Sequence, residues 1–287
     1  MSKTSKIRVQ VWTEHFLGTS IKCREMLELL ETMDGALWRP DCWSECEPIR
    51  SIYGPDVRSM ICSKWTEERD GGVSHYIAFK KKKPFAEIWA SCWREKVPAL
   101  NSISFSFDAK AFATAEGVER LKTIILSFID WSQAVYATAR HTEQMHWRIA
   151  QKTPMERLER MDWLTFFGKP YLELFGGEQR VLSAPCFRAQ QISGGVLLQA
   201  SERPDSPEMT ESDQTLLSLE QYLEADAFAG ENYPEVPCRV PIFDLSETVT
   251  AMNYDSDASD KSRFLEPLII RDPGTNAPSA VVILSKD

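Results

Sequence analysis

Two carboxylates and a lysine in this chain have the types and order that phosphodiester chemistry uses. Pro55-Asp56, followed by Asp108-Ala109-Lys110 at the end of a strand-like run, loosely resembles a P-D…(D/E)-x-K arrangement. In such sites two carboxylates hold Mg²⁺ and the lysine steadies the nucleophile. The pattern is short and common by chance, and a nuclease needs cationic surface for its substrate. Apart from Lys80-Lys81-Lys82-Lys83, this chain has little. A Mg-dependent nuclease therefore stands as the second alternative. Other metal chemistry has less to build on. Cys42 and Cys46 are the one close cysteine pair, and zinc needs two more ligands at a second short spacing. His141 and His146 would point about 140° apart on a helix, at 100° per residue. The chain has no Gly-rich phosphate loop, no G-x-S-x-G and no H-E-x-x-H. No catalytic residue, no metal and no cofactor is expected. The seven cysteines, at odd spacing in a chain of this size, fit free thiols in a reducing compartment.

The second candidate is electrostatic. From Glu202 to Glu235 the chain holds ten carboxylates and one cation, Arg203, while the remainder holds 32 acidic and 32 basic residues. This segment thus carries the whole formal charge of −9. A single-sign field attracts cationic partners and repels anionic ones. The candidate partner-binding residues are Asp205, Glu208, Glu211, Asp213, Glu220, Glu224, Asp226 and Glu231. They suit a basic protein and argue against nucleic acid as a partner. The competing reading is a solvated helix and loop that keep the protein soluble. Ser212 can cap a helix here whose buried stripe is Leu216, Leu219, Leu223 and Ala227. Glu220 and Glu224 would be neighbours on another face. Glu224 and Asp226 near its C-terminal end would oppose the helix dipole, a hint that something other than helix stability placed them there.

The elements that must position these groups read as an α+β chain. Ile7, Val9 and Val11 alternate with polar residues as in a half-buried strand. Thr19 or Ser20 caps a helix carrying Met26, Leu27, Leu30 and Met33, which Gly35 stops. Residues 38–55 have no period and read as ordered but irregular. Strands are expected over 73–79, 86–97 and 101–108; in the last, Ile103, Phe105 and Phe107 oppose Ser102, Ser104 and Ser106. A helix over 116–131 and a strand over 135–139 follow. Beyond a boundary near residue 150, Trp163 to Gly168 is a strand, Pro170 starts a short helix and Gly176-Gly177 stops it. Residues 187–192 and 196–200 form a hairpin, and strands return at 268–271 and 280–284. The expectation is two subdomains, 1–150 and 151–287, each a mostly antiparallel sheet partly covered by helices.

With 43% hydrophobic residues the chain can bury a real core. No apolar run has the length of a signal peptide or a membrane span, so a cytoplasmic protein without membrane contact is expected. Most of the nine tryptophans should be core, with Trp38, Trp43 and Trp65 open to an interface role as well.

Residues 163–177 (W-L-T-F-F-G-K-P-Y-L-E-L-F-G-G), then V-L-S-A-P at 181–185 and S-G-G-V-L-L-Q-A at 193–200, lead into a Pro-containing acidic stretch and a helix. This run resembles the bacterial polymorphic-toxin immunity proteins, in particular the family called Immunity protein 52. I-R-V-Q-V-W at 7–12, L-W-R-P at 37–40 and S-I-S-F-S-F-D-A at 102–109 fit more loosely. The resemblance implies a non-enzymatic antidote to a toxin, often one delivered by type VI secretion and usually a restriction-endonuclease-like DNase, inhibited by direct stoichiometric binding. It transfers no catalytic residues. Gly168, Gly176, Gly177, Trp163 and Phe175 would serve turns and core. A basic nuclease domain and a concentrated acidic face are complementary in charge. The first alternative is an adaptor or chaperone for a basic partner.

Overall fold

The computed structural model of the protein describes residues 5–68, 73–95, 98–141, 154–155, 158, 160–204, 214–228, 239–249, 268–271 and 278–282, the last two ranges as backbone alone. Strand β1 (Lys6–Thr13) buries Ile7, Val9 and Val11, as its alternation requires. Helix α1 (Ser20–Thr32) starts at Thr19, whose side chain accepts from the Lys22 amide, and buries Cys23, Met26, Leu27 and Leu30. The segment read as irregular contains two short strands, β2 (Cys42–Ser44) and β3 (Ser51–Ile52), before helix α2 (Arg58–Trp65). A meander of β4 (Val73–Lys81), β5 (Ala86–Arg94) and β6 (Asn101–Asp108) leads to α3 (Ala115–Ser132) and β7 (Tyr136–His141). Next come β8 (Leu164–Gly168), α4 (Lys169–Leu174), α5 (Glu178–Leu182) and the hairpin β9 (Arg188–Ile192) and β10 (Gly195–Gln199). Helix α6 (Gln214–Tyr222) and strands β11 (Ile242–Phe243), β12 (Leu268–Arg271) and β13 (Pro278–Val282) complete the order.

The α+β class is as expected, but the main sheet is not divided. One ten-stranded sheet, β3-β2-β4-β5-β6-β1-β7-β8-β10-β9, runs through both halves, every neighbouring pair antiparallel. The expectation of a separate sheet on each side of residue 150 is corrected by the β7–β8 ladder, in which Tyr136 faces Phe167 and Ala139 faces Leu164. A three-stranded sheet, β11-β13-β12, stands apart from it.

Helices cover opposite faces of the two ends. In an antiparallel ladder, directly opposed residues point to the same side. Ile7, Val9 and Val11 share a face with Phe107, Phe105 and Ile103, and there α3 packs, with Phe128 4.7 Å from Phe105 between ring centres. Trp38 fills the same layer, 4.9 Å from Phe107. Trp12, Tyr136 and Phe167 point the other way. Onto that face α4 brings Tyr171, 5.0 Å from Tyr136, and Phe175 beyond it lies 5.1 Å from Phe167. Trp38, Trp43 and Trp65 are all buried core residues, and the Trp65 indole donates to the Leu17 carbonyl.

Gly176 and Gly177 sit at φ 84° and 106°, the turn conformation that side chains resist. Gly168 has a different reason. Its backbone is extended, and a Cβ there would meet the Val135 Cα at 2.8 Å, so glycine allows β8 to pass close to the start of β7.

The segment 242–249 latches onto the loop after β1. Glu247 accepts from the Phe16 amide at 3.0 Å and from His15 Nδ1 at 3.1 Å, while Arg94 Nε donates to the Glu247 carbonyl at 2.8 Å. Partial burial pushes the Glu247 carboxyl up, but those two hydrogen bonds and the charges of His15 and Arg94 outweigh it, and the net shift is below the ordinary 4.5. A depressed carboxyl stabilises the fold above its unfolded pKa, and that contribution disappears as pH falls through the folded value. The stability advantage of wild type over Glu247→Gln should therefore be full at neutral pH and vanish in acid below the ordinary carboxylate range; urea unfolding across that range checks it.

Trp163 and Phe175 are fully buried, and the Trp163 indole donates to the Ser201 carbonyl at 2.9 Å. Emptying either site by alanine substitution should cost about 3–5 kcal/mol in urea unfolding. Wild-type stability in both variants would show that they are not core.

Candidate functional site

The acidic run is where the expectation and the structure can be compared residue by residue. Asp205, Glu208, Glu211, Asp213 and Glu231 lie outside the described residues. The other three are described, and each is engaged within the chain. Helix α6 buries Leu216 and Leu219, and Leu223 and Ala227 beyond it are buried too, as the stripe predicts. Glu220 is also buried, at 1% exposure. Its Oε1 accepts from the Met161 amide at 3.0 Å and from Arg160 Nε at 3.2 Å. It does not share an exposed face with Glu224, so its place in a surface patch is corrected. A buried carboxylate needs charge and donors around it, and β8's approach segment supplies both.

Glu224 lies beyond the end of α6, at φ 80°. Its carboxylate accepts from Arg180 Nη1 at 2.8 Å and is paired with Arg239 as well. Arg180 also donates to the Tyr222 carbonyl and Arg239 to the Leu174 carbonyl. Asp226 faces Arg239 at 4.0 Å, and its backbone carbonyl accepts from the Arg239 amide. The two acids that would oppose the helix dipole are thus held by arginines from α5 and from residue 239. An arginine clamp accounts for their position without an outside partner. Arg160, Arg180 and Arg239 are the residues that reading the charge run alone passed over.

The metal-nuclease pattern is not assembled. Asp56 is exposed, in a 3₁₀ turn that follows β3 at the sheet edge, and Asp108 ends β6, four strands away in the sheet order. The Asp108 carboxylate instead accepts from the Lys110 amide at 3.1 Å and caps the following 3₁₀ turn. Among the described residues no group of three His, Cys, Asp or Glu is placed to hold a metal. His141 is buried against Ser5, and His146 lies outside the described residues. Six cysteines are described and free. Burial pushes the Cys23 and Cys186 thiols up and Cys92 up to about 12, away from the thiolate a nucleophile needs. No described helix is long and apolar enough to cross a membrane.

An open depression of about 320 Å³ lies where α3 ends and α4 begins, lined by Glu14, Asp130, Gln133, Lys169 and Gly194 among others. Burial raises the Glu14 carboxyl above its ordinary value, against a hydrogen bond from the Asp244 amide.

No protein-family model matches the chain, and no curated protein does. The resemblance at 163–200 therefore rests on its motifs. Among solved structures the chain is similar to the Pseudomonas aeruginosa T6SS protein PA0821, with 12% identity over 76% of this chain and 75% of that one and a TM-score of 0.51. At that identity the likeness is one of fold.

The two kinds of acid should separate on substitution. Removing one partner of a buried pair strands the other charge, so Glu220→Gln should cost about 3 kcal/mol in urea unfolding. Glu224 is 35% exposed in its side chain, and solvent screening should hold Glu224→Gln to about 1 kcal/mol or less. Equal costs would mean that Glu220 is not buried against Arg160.

Proposed function

We propose that this chain is an immunity protein of a type VI secretion system, neutralising a cognate secreted toxin by direct binding in the cytoplasm. The observation that carries this reading is the fold likeness over three quarters of the chain to the Pseudomonas aeruginosa T6SS protein. The motifs at 163–200 point to the same class from the sequence side. In this reading the toxin is a basic nuclease domain, and the chain acts by occupancy with no cofactor and no catalytic step. The acidic segment contributes long-range attraction, which acts on the rate of encounter over about a Debye length of 8–10 Å. It does not have to be the contact surface, and Glu220 takes no part in it.

An inhibitor that acts by occupancy saturates. Titrated into a fixed amount of the purified toxin encoded by the neighbouring reading frame, it should abolish toxin activity near one-to-one equivalence. Nanomolar affinity, about −12 kcal/mol, is within reach of a standard interface of roughly 1,600 Å². Progressive silencing by a substoichiometric amount would indicate a catalytic modifier and end the inhibitor reading. Binding without any loss of toxin activity would favour an adaptor.

A further inference from the structure

We propose that the face of β4, β5, β6 and β1 on which no described helix packs is the surface that seats the protein partner, with carboxylates of the partner meeting lysines at its β4–β5 end. This inference rests on the binding reading above and names the surface that reading leaves open.

The register defines the face. Ser91 stands opposite Tyr76 and Ser102, Ser104 opposite Trp89 and Gln10, and Ser102 opposite Trp12. All of these point away from α1 and α3, which occupy the Phe105 side. The aromatic layer brought by α4 covers the same face only from β7 onward: Tyr136 is 4% exposed, whereas Tyr76 on β4 is 40% exposed. The result is a trough floored by short hydroxyl side chains, with Ser91 and Ser102 hydrogen-bonded at 2.9 Å. One wall is Tyr76 stacked on Trp89, ring centres 5.2 Å apart and planes within 5°; the other is Trp12 on Tyr136 at 5.3 Å.

Rigid aromatics beside serine and glutamine give contact area at low entropic cost together with adaptable hydrogen bonding, the chemistry by which protein surfaces are recognised. The centre of the trough is also poor in charge, as interface centres are. Four strands at about 4.8 Å and three side-chain rows at about 6.8 Å give a floor of about 390 Å². That is the middle of a standard interface of about 800 Å² per partner, so the rim must take part.

The rim has a sign. Lys81 pairs with Ala86, Ala86 with Phe107 and Asp108 with Lys6, so the β4–β5 turn, the end of β6 and the start of β1 meet at one end of the face. Lys80 is paired to Glu87 and Lys81 to Asp41. Lys83 and Lys110 are exposed there and have no carboxylate partner among the described residues. In a chain of net charge −9 this is a local excess of cations, complementary to carboxylates on an otherwise basic partner. A single-stranded nucleic acid fits less well. Tyr76 and Trp89 each give one ring face to the other, and the net charge repels a polyanion.

The test uses the full chain and the purified toxin encoded by the neighbouring reading frame, with Kd read by calorimetry. Ser104→Arg should weaken binding by about 100-fold or more by blocking the floor. The exposed pair Lys83→Glu and Lys110→Glu, which cannot unfold the core, should weaken it by about 10-fold and more at low salt than at high. A thermal midpoint for each variant separates lost binding from lost folding. A complex that forms with unchanged Kd in the lysine variant, or in a folded Ser104→Arg, overturns this surface while toxin binding stands. No complex with the wild-type chain overturns both. A twelve-residue oligothymidylate that binds the wild-type chain and not Trp89→Ala would assign the face to nucleic acid and overturn the proposal as well.

Discussion

Strand β1 is paired on both edges, to β6 from Lys6 to Thr13 and to β7 from Ile7 to Trp12, and every layer takes its place from it. Because the first strand of the chain lies between elements that come after it, neither neighbour has its ladder until long-range contacts form. Its alternation then sorts the molecule. Ile7, Val9 and Val11 direct α1 and α3 to one side, and Trp12, with Tyr136 opposite it, opens the side that α4 takes further along. A one-residue slip of β1 would exchange those two faces, so the hydrophobic pattern fixes the register as well as the strand.

Opposite-side coverage has a consequence for recognition. Where helices lie on both faces the sheet is sealed, as around β7 and β8, whose residues are nearly all buried. Where α1 and α3 lie, no described helix covers the reverse face from β4 to β1, and there the sequence places serines, glutamine and stacked aromatics instead of aliphatic residues. Ser102, Ser104 and Ser106 are half-buried and alternate with Ile103, Phe105 and Phe107, which are buried on the far side. A polar floor of this kind tolerates water, so the face does not depend on an apolar cover for stability.

Charge behaves differently from pattern in this chain. The acidic run looks from composition like one surface, yet among its described members only Glu202 is exposed, while Glu220 sits in a buried pair and Glu224 and Asp226 in an arginine clamp. Glu220 reaches back 60 residues to Arg160, and Glu224 reaches 44 residues to Arg180. These pairs fasten α6 to the approach of β8 and the residues after it to α5. The latch at Glu247 does the same over 231 residues to Phe16. Much of the tie between the two halves of the chain, outside the sheet itself, is carried by carboxylates.

Most of the strands and longer helices were legible in the sequence because their signals are local: a period of two in β1 and β6, a spacing of three and four in α1 and α3, a cap at Thr19, and glycines at 176 and 177. The segment from 38 to 55 was not, since β2 and β3 are two or three residues long and exist only by pairing with β4 and with each other. The single sheet was hidden for a related reason. A ladder between β7 and β8 depends on which edges meet across an intervening stretch, and no local period records that. The serine face was visible as an alternation but not as an open surface, because only the placement of α4 shows where coverage stops. By itself the sequence determined most of the longer elements, their buried faces and the location of the charge. The tertiary structure alone decided which arginine each acid meets, and hence which acids face water, because electrostatic partners are chosen by distance in space and not by distance along the chain.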